Sequence, residues 1–157
     1  MLEDKVFLFV EDDIQSIHYF RKGLLSNGAK ATNVLVVESL HEAVGIIRER
    51  KFDYIFIDLY CAPSSPELKP YEHFLGEPEF NHGQLLGLWL DEHYPDTSYG
   101  YITQIPTLVK NVNDKQSGKV LFNKNQLTSR DFVEKVMSII ETPELSSGSE
   151  EVQQDSE

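Results

Sequence analysis

The sequence predicts a doubly wound α/β domain, in which a parallel β-sheet lies between two layers of helices. Short apolar runs alternate with amphipathic stretches five times along the chain. The runs at 6–10, 34–37 and 54–57 are apolar at every position, as is typical of strands buried on both faces of a parallel sheet. The chain has 157 residues and is 40% hydrophobic, with nine Phe and seven Tyr, which is enough to fill the core of one domain.

Two helices are predicted between these first three strands. The segment 14–27 has apolar residues at helical spacing and ends before Gly28, a residue type that commonly follows a helix. Ser39 and Glu42 form a capping box, in which each side chain accepts a hydrogen bond from a free backbone N–H at the start of the second helix. That helix ends in the charged run 48–51.

The second half of the chain adds two strands and two more helices. Residues 84–93 predict a leucine-rich helix, and 99–103 and 120–122 predict the fourth and fifth strands. Thr128 can cap the last helix. The apolar residues of that helix are Phe132, Val133, Val136, Met137, Ile139 and Ile140. Residues 105–118 have helical spacing, but a proline and a polar run leave their structure open.

One domain is expected over residues 1–141, with an irregular insertion at about 60–81. Residues 142–157 contain no basic residue and almost no apolar side chain. They cannot offset the entropy cost of ordering, so we predict a disordered acidic tail. Because this tail is too short and too polar to fold as an output domain, the domain is expected to act alone.

The composition restricts the partners and the compartment. The formal net charge of -12 argues against nucleic acid and anionic membranes as direct partners, because binding to either needs clustered Lys and Arg. Cys61 is the only cysteine, which excludes an internal disulfide. The amino terminus lacks the long apolar run of a signal peptide or a membrane span. A reducing cytoplasm is the simplest location.

Acidic side chains follow the predicted strands at the points where the strands end. Glu11, Asp12 and Asp13 follow the first strand, and Asp58 follows the third. The carboxyl ends of parallel strands lie at one edge of a sheet, so three or four carboxylates converge if these strands are neighbours. Such a cluster is costly without a cation, and oxygen ligands without histidine or thiol favour Mg²⁺. Taken singly, each acid also fits a plain role at a helix start.

Four sequence motifs resemble the receiver domain of two-component response regulators. They are FLFVEDD, FDYIFIDL, GYIT and VLFNK, in this order, and the resemblance spans roughly residues 4–140. It implies a flavodoxin-like fold, with five parallel strands in the order 2-1-3-4-5 and helices on both faces.

The resemblance also implies a role for each site residue. Glu11 and Asp12 would be the acidic pair that holds Mg²⁺ together with Asp58, and Asp58 would accept a phosphoryl group. Thr103 would be the switch hydroxyl, and Lys124 the invariant lysine of the family pattern. The residue types suit this chemistry, since a carboxylate can act as a nucleophile and form an aspartyl phosphate.

The implied function is that of a receiver that takes a phosphoryl group from a sensor histidine kinase or a histidine phosphotransfer protein. It would signal through contacts with a downstream protein and would not be a turnover enzyme. One alternative is a protein-binding module that keeps the fold but is not phosphorylated. A second is a Mg²⁺-dependent phosphatase of the haloacid dehalogenase type, but such enzymes need an acid at the position of Tyr60.

The sequence departs from the family pattern around the expected site. Gln104 follows the switch threonine, where a small residue is usual. Asn125 replaces a common proline, and Leu121 replaces an aromatic residue. Tyr60, two residues after the acceptor, is large enough to shield a phosphoryl group from water, which predicts a long-lived phosphoryl group.

The insertion admits two interpretations. His73, Glu77, Glu79 and His82 are residue types that bind zinc. The prolines and aromatic residues of the insertion fit a partly ordered lid or a partner surface better.

Overall fold

The domain contains a five-stranded, all-parallel sheet. The computed structural model describes residues 2–61, 65–76 and 81–141. The strands are β1 (Phe7–Val10), β2 (Val34–Val37), β3 (Tyr54–Ile57), β4 (Tyr99–Thr103) and β5 (Leu121–Asn123). Their order across the sheet is β2-β1-β3-β4-β5, which confirms the predicted doubly wound fold and the strand order implied by the resemblance. β1 and β5 each start one residue later than predicted.

Helices pack on both faces of the sheet. They are α1 (His18–Ser26), α2 (Leu40–Glu49), α3 (Glu72–Leu75), α4 (Gly83–His93), α5 (Asp114–Ser117) and α6 (Ser129–Glu141). Short 3₁₀ turns occur at Ile14–Ile17, Ala31–Asn33, Pro66–Tyr71 and Pro106–Leu108. None of the helices formed by the described residues has the length and apolar content needed to cross a membrane.

The alternation of side chains along the central strands divides the core into two layers. The residues of β1 and β3 that pack with α2 and α4 are Leu8, Val10, Ile55 and Ile57. Those that pack with α1 and α6 are Phe7, Phe9, Tyr54 and Phe56. These strands are apolar at every position because each side chain belongs to one core layer or the other.

Helices α2 and α6 start at the predicted capping residues. Ser39 Oγ accepts a hydrogen bond from the backbone N–H of Glu42 at 3.1 Å. The Glu42 carboxylate accepts from the N–H of Glu38 at 2.8 Å, one residue before the N–H that a capping box uses. At α6, Thr128 Oγ1 accepts from the N–H of Asp131 at 3.0 Å. These bonds determine where the chain turns from strand to helix at the carboxyl edge of the sheet.

The helix predicted over 14–27 begins four residues later than expected. Residues 14–17 form a 3₁₀ turn, and α1 starts at His18. The reason is local, because the carbonyl of Asp13 accepts both the backbone N–H of Ser16 at 3.0 Å and its hydroxyl at 2.8 Å. Ile14 is consequently 44% exposed instead of lying on the buried face.

The segment 105–118 contains one 3₁₀ turn and the short helix α5. Two buried glutamines connect it to the rest of the domain. The side chain of Gln84 in α4 bonds to both the N–H and the carbonyl of Lys110, each at 2.8 Å. The amide oxygen of Gln116 in α5 accepts from Gln84 at 3.1 Å and from the hydroxyl of Tyr101 at 2.7 Å. Side-chain hydrogen bonds therefore hold a segment that lacks the backbone hydrogen bonds of a long helix.

The longest described part of the insertion, residues 65–76, packs on the side of α2 and α4. Its apolar residues Leu68, Tyr71 and Leu75 are buried in that core layer. The hydroxyl of Tyr71 also donates a hydrogen bond to Glu92 of α4. This part of the insertion therefore enlarges the core. Residues 62–64 and 77–80 of the insertion and the predicted acidic tail lie outside the described residues.

Candidate functional site

Two acidic residues lie side by side just beyond the central strands. β1 and β3 pair in parallel, with Val10 opposite Ile57. The pairing continues one residue further, since the N–H of Asp58 donates to the carbonyl of Val10 at 3.0 Å. The N–H of Glu11 donates in the same way to the carbonyl of Val37 at 2.9 Å. The strand register therefore places Glu11 next to Asp58 at the carboxyl edge of the sheet.

Asp12 completes a group of three carboxylates. Glu11, Asp12 and Asp58 each offer one oxygen, and these oxygens lie within 4.8 Å of one another. Glu11 and Asp58 are buried, whereas Asp12 is exposed. Among the described residues this is the one group of three or more metal-binding side chains. An ion held by it would have protein on one side and solvent on the other.

The ammonium group of Lys124 reaches the same cluster from the end of β5. Its Nζ lies 2.5 Å from Glu11 Oε1 and 3.7 Å from Asp58 Oδ2, and the lysine side chain is only 6% exposed. Nζ also donates to Ser16 Oγ at 3.0 Å. The backbone N–H of Lys124 donates to the carbonyl of Thr103 at 2.9 Å, so pairing of β4 with β5 brings the lysine to this edge.

The surroundings of Asp58 disfavour its charged form. Burial raises the pKa of its carboxyl to about 8, and the neighbouring charge of Glu11 acts in the same direction. The ammonium of Lys124 opposes this shift but does not cancel it. A divalent cation beside these carboxylates would favour the ionised form, which is the form that can act as a nucleophile.

The site residues predicted from the sequence line one open cavity of about 630 Å³. They are Glu11, Asp12, Asp58, Thr103 and Lys124. Thr103 is buried at the end of β4, and its hydroxyl accepts a hydrogen bond from the N–H of Ile105 at 3.2 Å. The structure thus brings these residues together, while their chemical roles stay predictions.

Two further residues singled out from the sequence border this cavity, Tyr60 and Gln104. Tyr60 is 59% exposed, and its backbone N–H donates to Asp58 Oδ1 at 3.3 Å. Gln104 is exposed, and its carbonyl accepts from the side-chain amide of Asn125 at 3.4 Å. The bulk of Tyr60 therefore lies beside the predicted acceptor, where it can restrict the approach of water.

Ser16 is a residue of this site that the sequence analysis missed. The helix predicted over 14–27 gave no reason to place Ser16 against Lys124. The signal that could have found it is its position three residues after Asp13, a spacing at which a serine hydroxyl can bond back to the carbonyl and tighten the turn.

The zinc interpretation of the insertion finds no support in its described part. His73 and His82 belong to no group of three metal-binding side chains among the described residues. Glu77 and Glu79 lie outside those residues.

The acidic cluster fits a hard divalent ion. All three of its donors are carboxylate oxygens, and the exposed position of Asp12 leaves room for the water ligands that Mg²⁺ retains. The nearby thiol of Cys61 is no competing ligand, because burial raises its pKa and it donates to the carbonyl of Val10 at 3.6 Å. Glu11, Asp12 and Asp58 would therefore hold Mg²⁺.

Solved structures with a similar fold are mostly response regulator receiver domains. A response regulator from Thermotoga maritima is 19% identical with a TM-score of 0.61, covering 87% of this chain and 98% of its own. A signal receiver domain from Vibrio parahaemolyticus is 18% identical with a TM-score of 0.64, and the match covers 90% of this chain and 93% of that domain. A CheY-like receiver domain from Methanospirillum hungatei is 16% identical with a TM-score of 0.60, and the match covers 90% of this chain and 97% of that domain. No protein-family model and no curated protein matches the sequence.

At these levels of identity the similarity establishes the fold, which is the flavodoxin-like fold of receiver domains. The acidic cluster lies at the carboxyl edge of the sheet, the edge at which open parallel sheets bind their ligands. The chain therefore has the fold of receiver domains, with an acidic cluster at the ligand-binding edge of the sheet.

Proposed function

We propose that this chain is a response regulator receiver domain, spanning residues 1–141, that accepts a phosphoryl group on Asp58 in a Mg²⁺-dependent reaction. The observation that carries the proposal is the meeting of Glu11, Asp12, Asp58 and Lys124 in one cavity. A buried nucleophile, acids suited to a divalent ion and a lysine ammonium are the parts that phosphoryl transfer to a carboxylate requires.

In the proposed step, a carboxylate oxygen of Asp58 attacks the phosphorus of a phosphohistidine on the donor protein. The new P–O bond forms as the P–N bond breaks, and the imidazole nitrogen leaves with the electron pair of that bond. A bound Mg²⁺ would neutralise charge on the transferring oxygens. The ammonium of Lys124, now 3.7 Å from Asp58, adds a second positive charge on the same side.

Thr103 connects the acceptor to the protein surface in this proposal. Its hydroxyl lines the cavity and accepts from the N–H of Ile105 at 3.2 Å. A phosphoryl oxygen on Asp58 would accept the proton of this hydroxyl in a charge-assisted hydrogen bond, and a hydroxyl drawn toward the phosphoryl group would move away from the N–H of Ile105. A change of partner at Thr103 would shift the segment 105–118, and a downstream protein would read that shift.

The partners of the proposed receiver are proteins. The donor is a sensor histidine kinase or a histidine phosphotransfer protein, and the expected location is the cytoplasm. The net charge of -12 disfavours direct binding of nucleic acid or an anionic membrane. Because the phosphoryl group stays on Asp58 until it is hydrolysed, the domain is not a turnover enzyme.

Mass spectrometry after incubation with acetyl phosphate and Mg²⁺ tests the proposal. The wild-type protein should gain about 80 Da, the mass of one phosphoryl group on a carboxylate, and EDTA should abolish this gain. Asp58→Asn should gain nothing, whereas Asp96→Asn, which removes an exposed acid elsewhere, should react like the wild type.

Two results would contradict the proposal. A wild-type protein with neither an adduct nor affinity for Mg²⁺ would favour a receiver-like module that binds proteins without being phosphorylated. Steady turnover of a simple phosphate ester would favour a phosphatase.

A further inference from the structure

The ammonium of Lys124 is part of a closed ring of hydrogen bonds. Nζ donates to Glu11 Oε1 at 2.5 Å and to Ser16 Oγ at 3.0 Å. The hydroxyl of Ser16 donates to the carbonyl of Asp13 at 2.8 Å. The N–H of Asp13 donates to the other carboxylate oxygen of Glu11, Oε2, at 3.1 Å, which closes the ring. The ring joins the end of β1 to the end of β5.

Ser16 takes the role of hydrogen-bond acceptor toward Lys124. A hydroxyl has a single proton, and here that proton goes to the carbonyl of Asp13. Toward the ammonium the hydroxyl oxygen can therefore act only as an acceptor, through a lone pair. The same carbonyl accepts the backbone N–H of Ser16 at 3.0 Å, so the 3₁₀ turn and the side chain hold each other in place.

The second acceptor matters because a lysine side chain is long and flexible. Its ammonium has three protons, and a contact with Glu11 alone would leave the group free to pivot. Glu11 and Ser16 together occupy two of these protons. The third is left for an oxygen on the side of Asp58, whose Oδ2 lies 3.7 Å away.

Ser16 also differs from Glu11 in a way that matters when an ion binds. Glu11 belongs to the acidic cluster, so its negative charge would be shared between an ion and the ammonium. Ser16 is uncharged, and its bond to Lys124 does not depend on that sharing.

We infer that Ser16 is a positioning residue, which holds the Lys124 ammonium in place for the phosphoryl group on Asp58. Ser16 acts through Lys124 and contacts neither the ion nor the phosphorus in this role. The consequence for phosphoryl transfer rests on the proposed function, but the anchoring of Lys124 does not.

The anchoring can be measured by NMR without any phosphodonor. In isotope-labelled protein, the side-chain ammonium signal of Lys124 is identified by its loss in Lys124→Met. Ser16→Ala should accelerate exchange of these ammonium protons with water by roughly tenfold, because one of their acceptors is gone. Ser16→Thr, which keeps a hydroxyl, should restore slow exchange. Ser26→Ala, an exposed serine at the end of α1, should leave the signal unchanged.

The consequence can be measured as the rate of phosphorylation by acetyl phosphate. Ser16→Ala should slow this rate by roughly five- to tenfold, the effect expected of one hydrogen bond to a charged group. The affinity of the Ser16→Ala protein for Mg²⁺ should change less than about twofold, because Ser16 is not a proposed ligand. Ser16→Thr should react at close to the wild-type rate.

Three results would overturn the inference. The first is a Ser16→Ala protein with wild-type ammonium exchange and a wild-type rate. The second is failure of Ser16→Thr to restore either property, which would assign the effect to something other than the hydroxyl. The third is a loss of Mg²⁺ affinity as large as the loss of rate, which would mean that Ser16 acts on the acidic cluster. A wild-type protein that forms no adduct would contradict the proposed function, and the exchange measurement would then still decide the anchoring.

Discussion

At the scale of single residues, Asp58 is where the demands of folding and of function oppose each other. Its carboxyl is buried beside that of Glu11, and burial together with this neighbour raises its pKa to about 8. In the unfolded chain the same group has an ordinary pKa of about 3.9. At neutral pH, folding of the ion-free protein must therefore either bury a charge or take up a proton.

Asp58→Asn is expected to stabilise the ion-free protein at neutral pH by about 2 kcal/mol, because the amide carries no charge to bury. The sign of the pH dependence follows from the raised pKa. Below about pH 4 the carboxyl is protonated in both states, so the variant and the wild type should differ little. The difference should grow as the pH rises toward the folded-state pKa of about 8. Urea unfolding at a series of pH values measures this.

Asp96→Asn serves as the control for that series, because it removes an exposed acid. Saturating Mg²⁺ should reduce the stability difference between Asp58→Asn and the wild type. The wild type offers the ion three carboxylates and the variant only two, so the ion stabilises the wild type more. If Asp58→Asn is less stable than the wild type at every pH, the contact between Asp58 and Lys124 outweighs the cost of burying the Asp58 carboxylate beside Glu11.

Tyr60 leads to a prediction about how long the phosphoryl group persists. Tyr60 borders the cavity beside Asp58, where its ring can exclude the water needed for in-line attack on phosphorus. Tyr60→Ala should shorten the half-life of the phosphorylated protein by roughly fivefold. Decay of radiolabelled protein after removal of the donor measures the half-life. Tyr19→Ala is the matched control, because Tyr19 is 70% exposed on α1, away from the cavity. A wild-type half-life of only seconds would contradict the shielding role.

At the scale of secondary-structure elements, α4 begins in direct backbone contact with the proposed acceptor. The N–H of Gly83 donates to the carbonyl of Leu59 at 2.9 Å. A Cβ atom on Gly83 would lie 2.1 Å from the carbonyl oxygen of Asp58, which is too close for any side chain. The start of α4 and the end of β3 therefore hold their positions only because residue 83 is glycine.

A pair of glycine substitutions tests this contact. Gly83→Ala should destabilise the domain by about 2 kcal/mol or more, because neither backbone can move away without disturbing the core. Gly45→Ala should stabilise it by about 0.5–1 kcal/mol, since Gly45 lies inside α2 and its added Cβ would meet nothing within 4 Å. Chemical unfolding of both variants gives the comparison. Equal effects of the two substitutions would show that close packing at Gly83 is unimportant.

The segment 105–118 depends on side chains for its structure, which can be tested at Gln116. Its amide nitrogen donates to Asp91 at 2.9 Å and to the hydroxyl of Tyr99 at 2.7 Å, in addition to the bonds made by its oxygen. Gln116→Ala would remove the acceptor of the buried Tyr101 hydroxyl and one hydrogen bond each from Gln84, Tyr99 and Asp91, so we expect a loss of about 2–3 kcal/mol and faster hydrogen exchange in 105–118.

The exchange measurement has a matched control in Gln126→Ala, which alters an exposed glutamine between β5 and α6. That variant should leave exchange in 105–118 unchanged. Unaltered exchange in Gln116→Ala would mean that apolar packing alone holds the segment.

At the scale of the whole molecule, the charge is strongly unbalanced. Asp and Glu number 26 against 14 Lys and Arg, and three of the acids converge on one point. Repulsion among these charges opposes the folded state, and a cation that binds at the point of convergence relieves it.

Mg²⁺ should therefore raise the melting temperature beyond the effect of NaCl at equal ionic strength. A rise of roughly 2–5 °C at millimolar Mg²⁺ is expected from the linkage of binding to folding. Asp12→Asn should abolish the specific part of this rise, because it removes one of the three carboxylates while leaving the core intact. Asp96→Asn should retain it. A rise in Asp12→Asn as large as in the wild type would contradict a Mg²⁺ site at this cluster.

Much of the fold could be predicted because its signals are local. The apolar runs of β1 and β3, the caps at Ser39 and Thr128 and the glycine after α1 can all be recognised within a few neighbouring residues. The late start of α1 and the structure of 105–118 could not, since each depends on hydrogen bonds that compete with helical ones. In α1 the competing group is the hydroxyl of Ser16, and in 105–118 it is the side chain of Gln84.

The sequence by itself determined the class of fold. It also showed which functional side chains follow the strands, namely Glu11, Asp12, Asp58, Thr103 and Lys124. Both can be recognised because a strand and the residues that follow it are visible in a short stretch of sequence. Only the tertiary structure decided that Lys124 pairs with Glu11 and Ser16, and that Gly83 meets the backbone of Asp58. These contacts join residues far apart in the chain. The family resemblance implied the order of the strands, but the distances depend on the backbone and side-chain geometry at the ends of β1, β3 and β5, which no pattern of neighbouring residues specifies.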